Sequence, residues 1–162
     1  MEQKFTPMAH RFCLWMGVLL TVMYIPGFVW LAEFWPVPTP DWPAEQLAAW
    51  LADHATAFRI GCVLMIIPGA LLAPWGAALA IWTRKTEDRF PVLYLTQIVS
   101  LAVGTCIFII ITIFWAIASY RAGQTAPAVT QAMFDIGWFM FLFDIPPFIA
   151  WAGSLGLAIL WN

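Results

Sequence analysis

Apolar residues come in four long runs along the chain, at positions 12–32, 58–82, 91–119 and 134–161. A helix needs about 20 apolar residues to cross the hydrocarbon core of a bilayer, so each run is long enough to form a spanning helix. No stretch alternates apolar and polar residues with the period of two that membrane-barrel strands show. The pattern therefore predicts an all-α fold, a polytopic transmembrane bundle of four helices that forms one domain over residues 1–162.

The loop between the first two runs is predicted to contain a further short helix. Prolines between positions 36 and 43 favour an extended chain, and a helix over residues 44–55 would place Leu47, Trp50 and Leu51 on one face. Such an amphipathic segment is typical of a helix at the membrane interface. We expect an interfacial connector in the first outer loop, and the alternative is a lid over an opening between the spans.

Composition supports the membrane assignment. Hydrophobic residues make up 63% of the chain and charged residues 10%, against roughly half and a quarter in soluble domains. The basic residues do not cluster, which argues against nucleic acid as a partner and leaves membrane lipids as the expected one. Under alternating topology, most basic residues fall on one side, namely Lys4, Arg11, Arg84, Lys85 and Arg89. Positive charge favours the cytoplasmic side, so both termini are expected to be cytoplasmic.

One carboxylate, Asp144, is predicted deep within a span. An acid at the centre of a bilayer costs about 2.5 kcal/mol or more, so its side chain should face the bundle interior and have a partner. Tyr24 and Thr105 are predicted at a similar depth, whereas no Lys or Arg is. Because no cation is at hand, the protonated acid, which can donate a hydrogen bond, is the favoured form.

Three spans repeat an Ile-Pro pair near this depth, at Pro26, Pro68 and Pro146. A proline inside a helix removes one backbone hydrogen bond and displaces a carbonyl, so each helix should bend or widen there. Together with Asp144, the three prolines predict a polar spot in a kinked cavity that binds an apolar molecule carrying a hydroxyl or keto group, or that passes a proton. The alternative is that Asp144 only makes a structural hydrogen bond between helices.

Other polar residues near the spans are predicted to be structural. Asp135 precedes Asp144 by nine residues, which places the two carboxylates on opposite faces of one helix. Asp135 is therefore expected to form an ion pair with Arg59 or Arg121 rather than a catalytic pair with Asp144. Gln97 should form a hydrogen bond with a neighbouring helix.

Small residues recur every four positions in the second span, at Gly69, Ala73 and Ala77. Small side chains let helix backbones approach each other closely, so this spacing predicts a packing face. The face could serve the bundle itself, another membrane subunit or a second copy of the chain.

No metal or cofactor is expected. His10 and His54 are predicted on opposite faces of the membrane, so they cannot hold one haem between them, and no His-carboxylate cluster suggests a metal site. The three cysteines occur singly inside apolar spans, which is typical of small buried hydrophobic residues.

Three short stretches carry a resemblance to a known group of proteins. They are the residues at 58–61 (Phe-Arg-Ile-Gly), 91–97 (Pro-Val-Leu-Tyr-Leu-Thr-Gln) and 134–138 (Phe-Asp-Ile-Gly-Trp). Over residues 58–160 the chain resembles bacterial multi-pass membrane proteins to which no activity is assigned. The resemblance implies a bacterial inner-membrane location and further hydrophobic helices after residue 162, and it implies no chemistry.

The leading functional prediction is a non-catalytic membrane protein that acts as an accessory subunit or binds apolar, lipid-like molecules. The first alternative is a small transporter or transporter subunit, for which kinked helices and a buried acid are also expected. The second is an intramembrane isomerase that uses Asp144 as an acid or base. An enzyme is disfavoured because no second catalytic group is predicted at the depth of Asp144.

Overall fold

The computed structural model describes residues 7–36, 38 and 40–161. Within these ranges the chain forms helices and no strand, with the elements α1 (Pro7–Ile25), a π-helical continuation of α1 (Pro26–Leu31), α2 (Ala44–Asp53), α3 (Ala55–Thr86), α4 (Val92–Tyr120) and α5 (Pro127–Leu160). Four helices, Met8–Leu31, Ala55–Thr86, Val92–Tyr120 and Pro127–Leu160, are long and apolar enough to cross a membrane. The predicted all-α fold with four spans is confirmed, and these four helices indicate a membrane protein.

Three of the four spanning helices, α1 with its π-helical continuation, α3 and α5, are longer than the apolar runs that predicted them. α3 begins at Ala55 and α5 begins at Pro127, whereas the runs begin at positions 58 and 134. Hydropathy detects only the part of a helix whose composition suits hydrocarbon, and backbone hydrogen bonding continues through the polar turns beyond it.

The helices do not pack as a closed ring. α4 packs against both α3 and α5, α3 also contacts α5, and α1 packs on the bundle through α3. Among the described residues, α1 and α5 nowhere bring their Cα atoms within 8 Å of each other. The backbones of α1 and α5 are therefore not in direct contact.

The two ends of the bundle differ in structure. The α2 end carries α2 and the connection between α4 and α5, and α2 packs mainly against α5. Leu47 and Leu51 of α2 are buried, which agrees with the apolar face predicted for this helix. The hairpin end carries the tight connection between α3 and α4, where both carboxylate oxygens of Glu87 accept hydrogen bonds, from the backbone N–H groups of Leu93 (2.7 Å) and Tyr94 (2.8 Å). Glu87 thus caps the start of α4.

The proline in the first span produces the widening expected of it. Residues Pro26–Leu31 adopt a π-helix, and the N–H of Ala32 donates to the carbonyl of Gly27 at 2.9 Å. The helices that contain Pro68 and Pro146 remain α-helical through those positions. The same Ile-Pro pair thus lies at the start of a π-helix in the first span and within regular α-helices in α3 and α5. The difference arises because neighbouring contacts decide how the freed carbonyl is accommodated.

After the π segment, the chain turns back into the bundle. Glu33 adopts a left-handed backbone conformation with φ 51°, and the next residue, Phe34, is completely buried. The Phe34 ring packs against Trp115, with centroids 4.5 Å apart, and meets Phe58 edge-on at 5.4 Å. Phe34 therefore fills the centre of an aromatic cluster that closes the α2 end.

Glycines set the closest helix contacts. A side-chain Cβ on Gly61 would lie 2.8 Å from the carbonyl oxygen of Gly27, and one on Gly76 would collide with Leu101. Of the face predicted from four-residue spacing, Gly69 does contact α4 at Ile109, whereas Ala73 is exposed. Buried residues of α3 recur at steps of three as well as four residues. A step of four alone moves about 40° around the helix at each repeat, so a row of such steps would leave the buried side.

Candidate functional site: the Asp144 cavity

Asp144 lies midway along α5 and is 4% exposed. Its Oδ1 atom is buried and has no hydrogen-bond partner among the described residues. The carboxylate reaches α4 at Gly104, where an added Cβ would stand 3.4 Å from Oδ1. Because Gly104 has no side chain, α4 leaves room for the acid but offers it no polar group. Asp144 therefore faces the bundle interior, as expected, and its Oδ1 has no hydrogen-bond partner among the described residues.

Asp144 lines a cavity of about 450 Å³. We call it the Asp144 cavity. The other helices contribute apolar or aromatic side chains to its wall, namely Leu20, Tyr24, Pro68, Leu72 and Phe108. The volume is at the lower end of the range for pockets that hold small ligands.

The α5 wall of the Asp144 cavity follows one face of the helix. Phe141, Asp144, Phe148 and Ala152 all line it and recur at steps of three or four residues. Ile149, which lines its edge, is 65% exposed. Among the described residues no Cα atoms of α1 and α5 lie within 8 Å of each other, and the cavity lies between the side chains of these two helices.

Aromatic rings close the cavity toward the α2 end. Tyr24 lies between Phe28 and Phe108, with centroids 5.4 Å from each. Phe28 in turn stacks on Phe141 at 6.4 Å and so continues the aromatic wall from α1 to α5. Such rings give a wall of large apolar area with little conformational freedom.

Three of the six residues predicted for the site come together in the cavity, and three do not. Tyr24, Pro68 and Asp144 line it. Pro26 lies in the π segment and Pro146 is exposed on α5, so neither is among the lining residues. Thr105 follows Gly104 on α4, and its hydroxyl is buried with no hydrogen-bond partner among the described residues, but it does not line the cavity either.

The residues predicted to be structural are bound mostly within or between helices. Gln97 is completely buried, and its Nε2 donates to the Thr83 hydroxyl at 2.8 Å, which is the interhelical bond expected of it. The Nε of Arg59 donates to the carbonyl of Ala55 at 2.8 Å, one turn earlier on the same helix. The guanidinium of Arg121 lies 5.9 Å from the centroid of the neighbouring Tyr120 ring.

Asp135 does not form the ion pair expected of it. In the part of the chain that the structure describes, neither Arg59 nor Arg121 comes within 4.0 Å of its carboxylate. The reason is local, because each guanidinium makes its contacts on its own helix. Asp135 lies on the side of α5 opposite Asp144, as helical spacing predicts, and lines a separate cleft.

Sequence reasoning missed several residues of the Asp144 cavity, including Leu72, Phe108 and Phe148. Phe148 could have been found, since it lies one turn after Asp144 on the same helix face. Leu72 and Phe108 could not, because their place depends on how α3 and α4 are rotated against α5.

No group of three or more metal-binding side chains comes together among the described residues. Cys13, Cys62 and Cys106 are free thiols. The chemistry that the Asp144 cavity can supply is thus one carboxyl group and one phenol in an apolar enclosure.

Comparison with known proteins identifies no relative of this chain. No protein-family model matches the chain, and neither a curated protein nor a solved structure is similar to it. What the protein does must therefore be argued from the Asp144 cavity itself.

Proposed function

We propose that the protein binds one apolar molecule with a hydroxyl or keto group in the Asp144 cavity. The observation that carries the proposal is that Asp144, whose buried Oδ1 has no hydrogen-bond partner among the described residues, lines an apolar space of about 450 Å³. A buried polar group without a hydrogen bond costs about 1–3 kcal/mol, and a ligand that bonds to it recovers much of that cost. A purely structural role for Asp144 would require a protein partner for the same atom.

The shape of the cavity supports entry of the ligand from the lipid phase. The backbones of α1 and α5 are not in direct contact beside the cavity, and the exposed Ile149 forms part of its edge. A ligand dissolved in the bilayer could therefore reach Asp144 without crossing water. The aromatic wall of Tyr24, Phe108 and Phe141 suits a flat or compact apolar body.

The carboxyl group can hold either kind of polar group. A protonated acid donates a hydrogen bond to a keto oxygen, and its carbonyl oxygen accepts one from a hydroxyl. One such bond in a water-free site fixes the orientation of an otherwise apolar ligand.

The test is whether purified protein carries an apolar compound that depends on Asp144. Compounds extracted from purified wild-type protein would be quantified by mass spectrometry beside Asp144→Asn, Asp144→Leu and the control Phe143→Leu, which alters a neighbouring side chain that is 68% exposed. We expect Asp144→Leu to lose the compound about tenfold or more, the loss expected for one hydrogen bond to a buried polar group. Asp144→Asn, which keeps a donor and an acceptor, should retain part of it.

Stability separates the binding role from a structural one. If Asp144 serves a ligand, Asp144→Leu should unfold at the same or a higher denaturant concentration than wild type when both proteins are stripped of the compound, because it removes a buried polar group without a hydrogen-bond partner. Marked destabilisation of Asp144→Leu, or retention of the same compound by this variant, would count against the proposal.

We further infer that the hairpin end faces the cytoplasm of a bacterial inner membrane. Arg84, Lys85 and Arg89 lie at this end, whereas the described residues of the α2 end include only two arginines, Arg59 and Arg121. Lys4, which the sequence analysis placed on the same side, lies outside the described residues. In intact cells, a membrane-impermeant thiol reagent should label a cysteine placed at Asp53 and not one placed at Arg89, and the reverse pattern would refute this orientation.

A further inference from the structure

A second cleft lies along the part of α5 nearer the α2 end, whereas the α5 wall of the Asp144 cavity extends from Phe141 to Ala152. It has a volume of about 370 Å³ and shares no lining residue with that cavity. We call it the Asp135 cleft. Its α5 side extends from Gln131 to Leu142, which is about 16 Å of helix, and Trp42 and Leu47 line the α2 side.

The Asp135 carboxylate is the one acidic group that lines this cleft, and it has no cation beside it. Within the described ranges it forms no salt bridge. Both arginines expected to pair with it make their contacts elsewhere, Arg59 to a backbone carbonyl at 2.8 Å and Arg121 beside a tyrosine ring. The cleft therefore presents an exposed carboxylate with no cationic side chain within 4.0 Å among the described residues.

Aromatic side chains surround this charge. Trp42, Trp138 and Phe139 line the cleft together with Asp135. The faces of aromatic rings attract cations, and a carboxylate does so more strongly. A carboxylate among indole and phenyl rings is the chemical setting that favours an ammonium group, and it disfavours an anionic group.

The far part of the cleft is apolar and faces outward. Phe139 is 63% exposed and Leu142 is 58% exposed, and both lie farther from the α2 end than Asp135 does. Residues of this kind, on a spanning helix, contact acyl chains. A ligand that used the whole cleft would carry its ammonium group at the α2 end and an apolar tail along α5.

The charge distribution of the α2 end favours the same ligand. Acidic residues outnumber the arginines there in the described part of the chain; the acids are Glu33, Asp41, Glu45, Asp53 and Asp135, and the arginines are Arg59 and Arg121. An excess of negative charge raises the local concentration of cations near the cleft.

We propose that the Asp135 cleft binds the ammonium headgroup of an amine-bearing phospholipid, with one acyl chain lying along Phe139 and Leu142. The site is independent of the ligand proposed for the Asp144 cavity, since the two spaces share no lining residue.

The experiment reconstitutes the wild-type protein in nanodiscs that contain equal amounts of phosphatidylethanolamine and phosphatidylglycerol. Native mass spectrometry then measures which lipid remains bound to the protein after the protein is released from the nanodisc. Wild-type protein should retain phosphatidylethanolamine in preference to phosphatidylglycerol, and this arm needs no variant. Equal retention of both lipids would overturn the proposal.

Variants assign the preference to the carboxylate. Asp135→Asn should lower retention of phosphatidylethanolamine about tenfold, the loss typical of one charge-assisted contact. Asp135→Glu, which keeps the charge, should keep the preference. Glu45→Gln is the matched control, because Glu45 is an exposed acid at the same end that does not line the cleft. Unchanged retention by Asp135→Asn, or an equal loss in Glu45→Gln, would overturn the assignment.

A competition arm separates a lipid from a free amine. Excess ethanolamine should not displace the bound lipid, because it lacks the acyl chain that contacts the apolar part of the cleft. Displacement by ethanolamine would show a site for small amines and would overturn the lipid assignment.

Discussion

The contact between Gly27 and Gly61 offers the sharpest test of how α1 is held on the bundle. A Cβ on Gly61 would lie 2.8 Å from the carbonyl oxygen of Gly27 and 2.9 Å from the backbone nitrogen of Ala32. Both neighbours are main-chain atoms, so neither can rotate away as a side chain could. Gly61→Ala can be accommodated only if α1 moves away from α3 by about half an ångström, which would bring these pairs to ordinary contact distance.

The expected loss of stability follows from two opposing effects. Overpacking of this kind costs about 1–3 kcal/mol. Alanine regains up to about 1 kcal/mol because it favours the helix more than glycine does. The net loss in the free energy of unfolding should therefore be about 1–2 kcal/mol.

Gly153→Ala is the matched control. Gly153 also lies within a spanning helix, but no atom stands within 4 Å of the position its Cβ would take. This substitution should gain up to about 1 kcal/mol from helix propensity alone. The two variants should thus differ by about 2 kcal/mol, or about thirtyfold in the unfolding equilibrium.

The measurement is unfolding of each purified variant in detergent micelles by titration with sodium dodecyl sulfate, followed by tryptophan fluorescence. Gly61→Ala should unfold at a lower fraction of the denaturing detergent than wild type, and Gly153→Ala at an equal or higher one. Equal stability of the two variants would refute the close backbone contact between α1 and α3.

Two further predictions concern the ends of the bundle, and both can be measured in the same titration. Phe34→Ala should lower the free energy of unfolding by about 3–5 kcal/mol, because Phe34 is completely buried, whereas Trp35→Ala should change it little, since Trp35 is 78% exposed. Equal effects at the two positions would contradict the placement of Phe34 inside the aromatic cluster. Glu87→Ala should cost about 1 kcal/mol through loss of the cap on α4, whereas Asp88→Ala should be nearly neutral, because only its backbone carbonyl takes part in a hydrogen bond. A larger loss for Asp88→Ala than for Glu87→Ala would show that the cap is assigned to the wrong residue.

The number of spans and the presence of α2 could be predicted from the sequence because both depend on local composition. The thickness of the bilayer sets the length of each apolar run, and the spacing of Leu47 and Leu51 marks the buried face of α2. The inward orientation of Asp144 could also be predicted, since the cost of an acid in hydrocarbon leaves few alternatives.

The tertiary structure alone decided which residues surround Asp144, and α5 shows why. Phe141 lines the Asp144 cavity, while Phe143, two positions later, is 68% exposed. Lipid tails are as apolar as a protein interior, so hydrophobicity does not distinguish a side chain that faces the bundle from one that faces the bilayer. The same reason hid the separation of the α1 and α5 backbones and the missing partner of Asp135, because both depend on how the helices are arranged and rotated against one another.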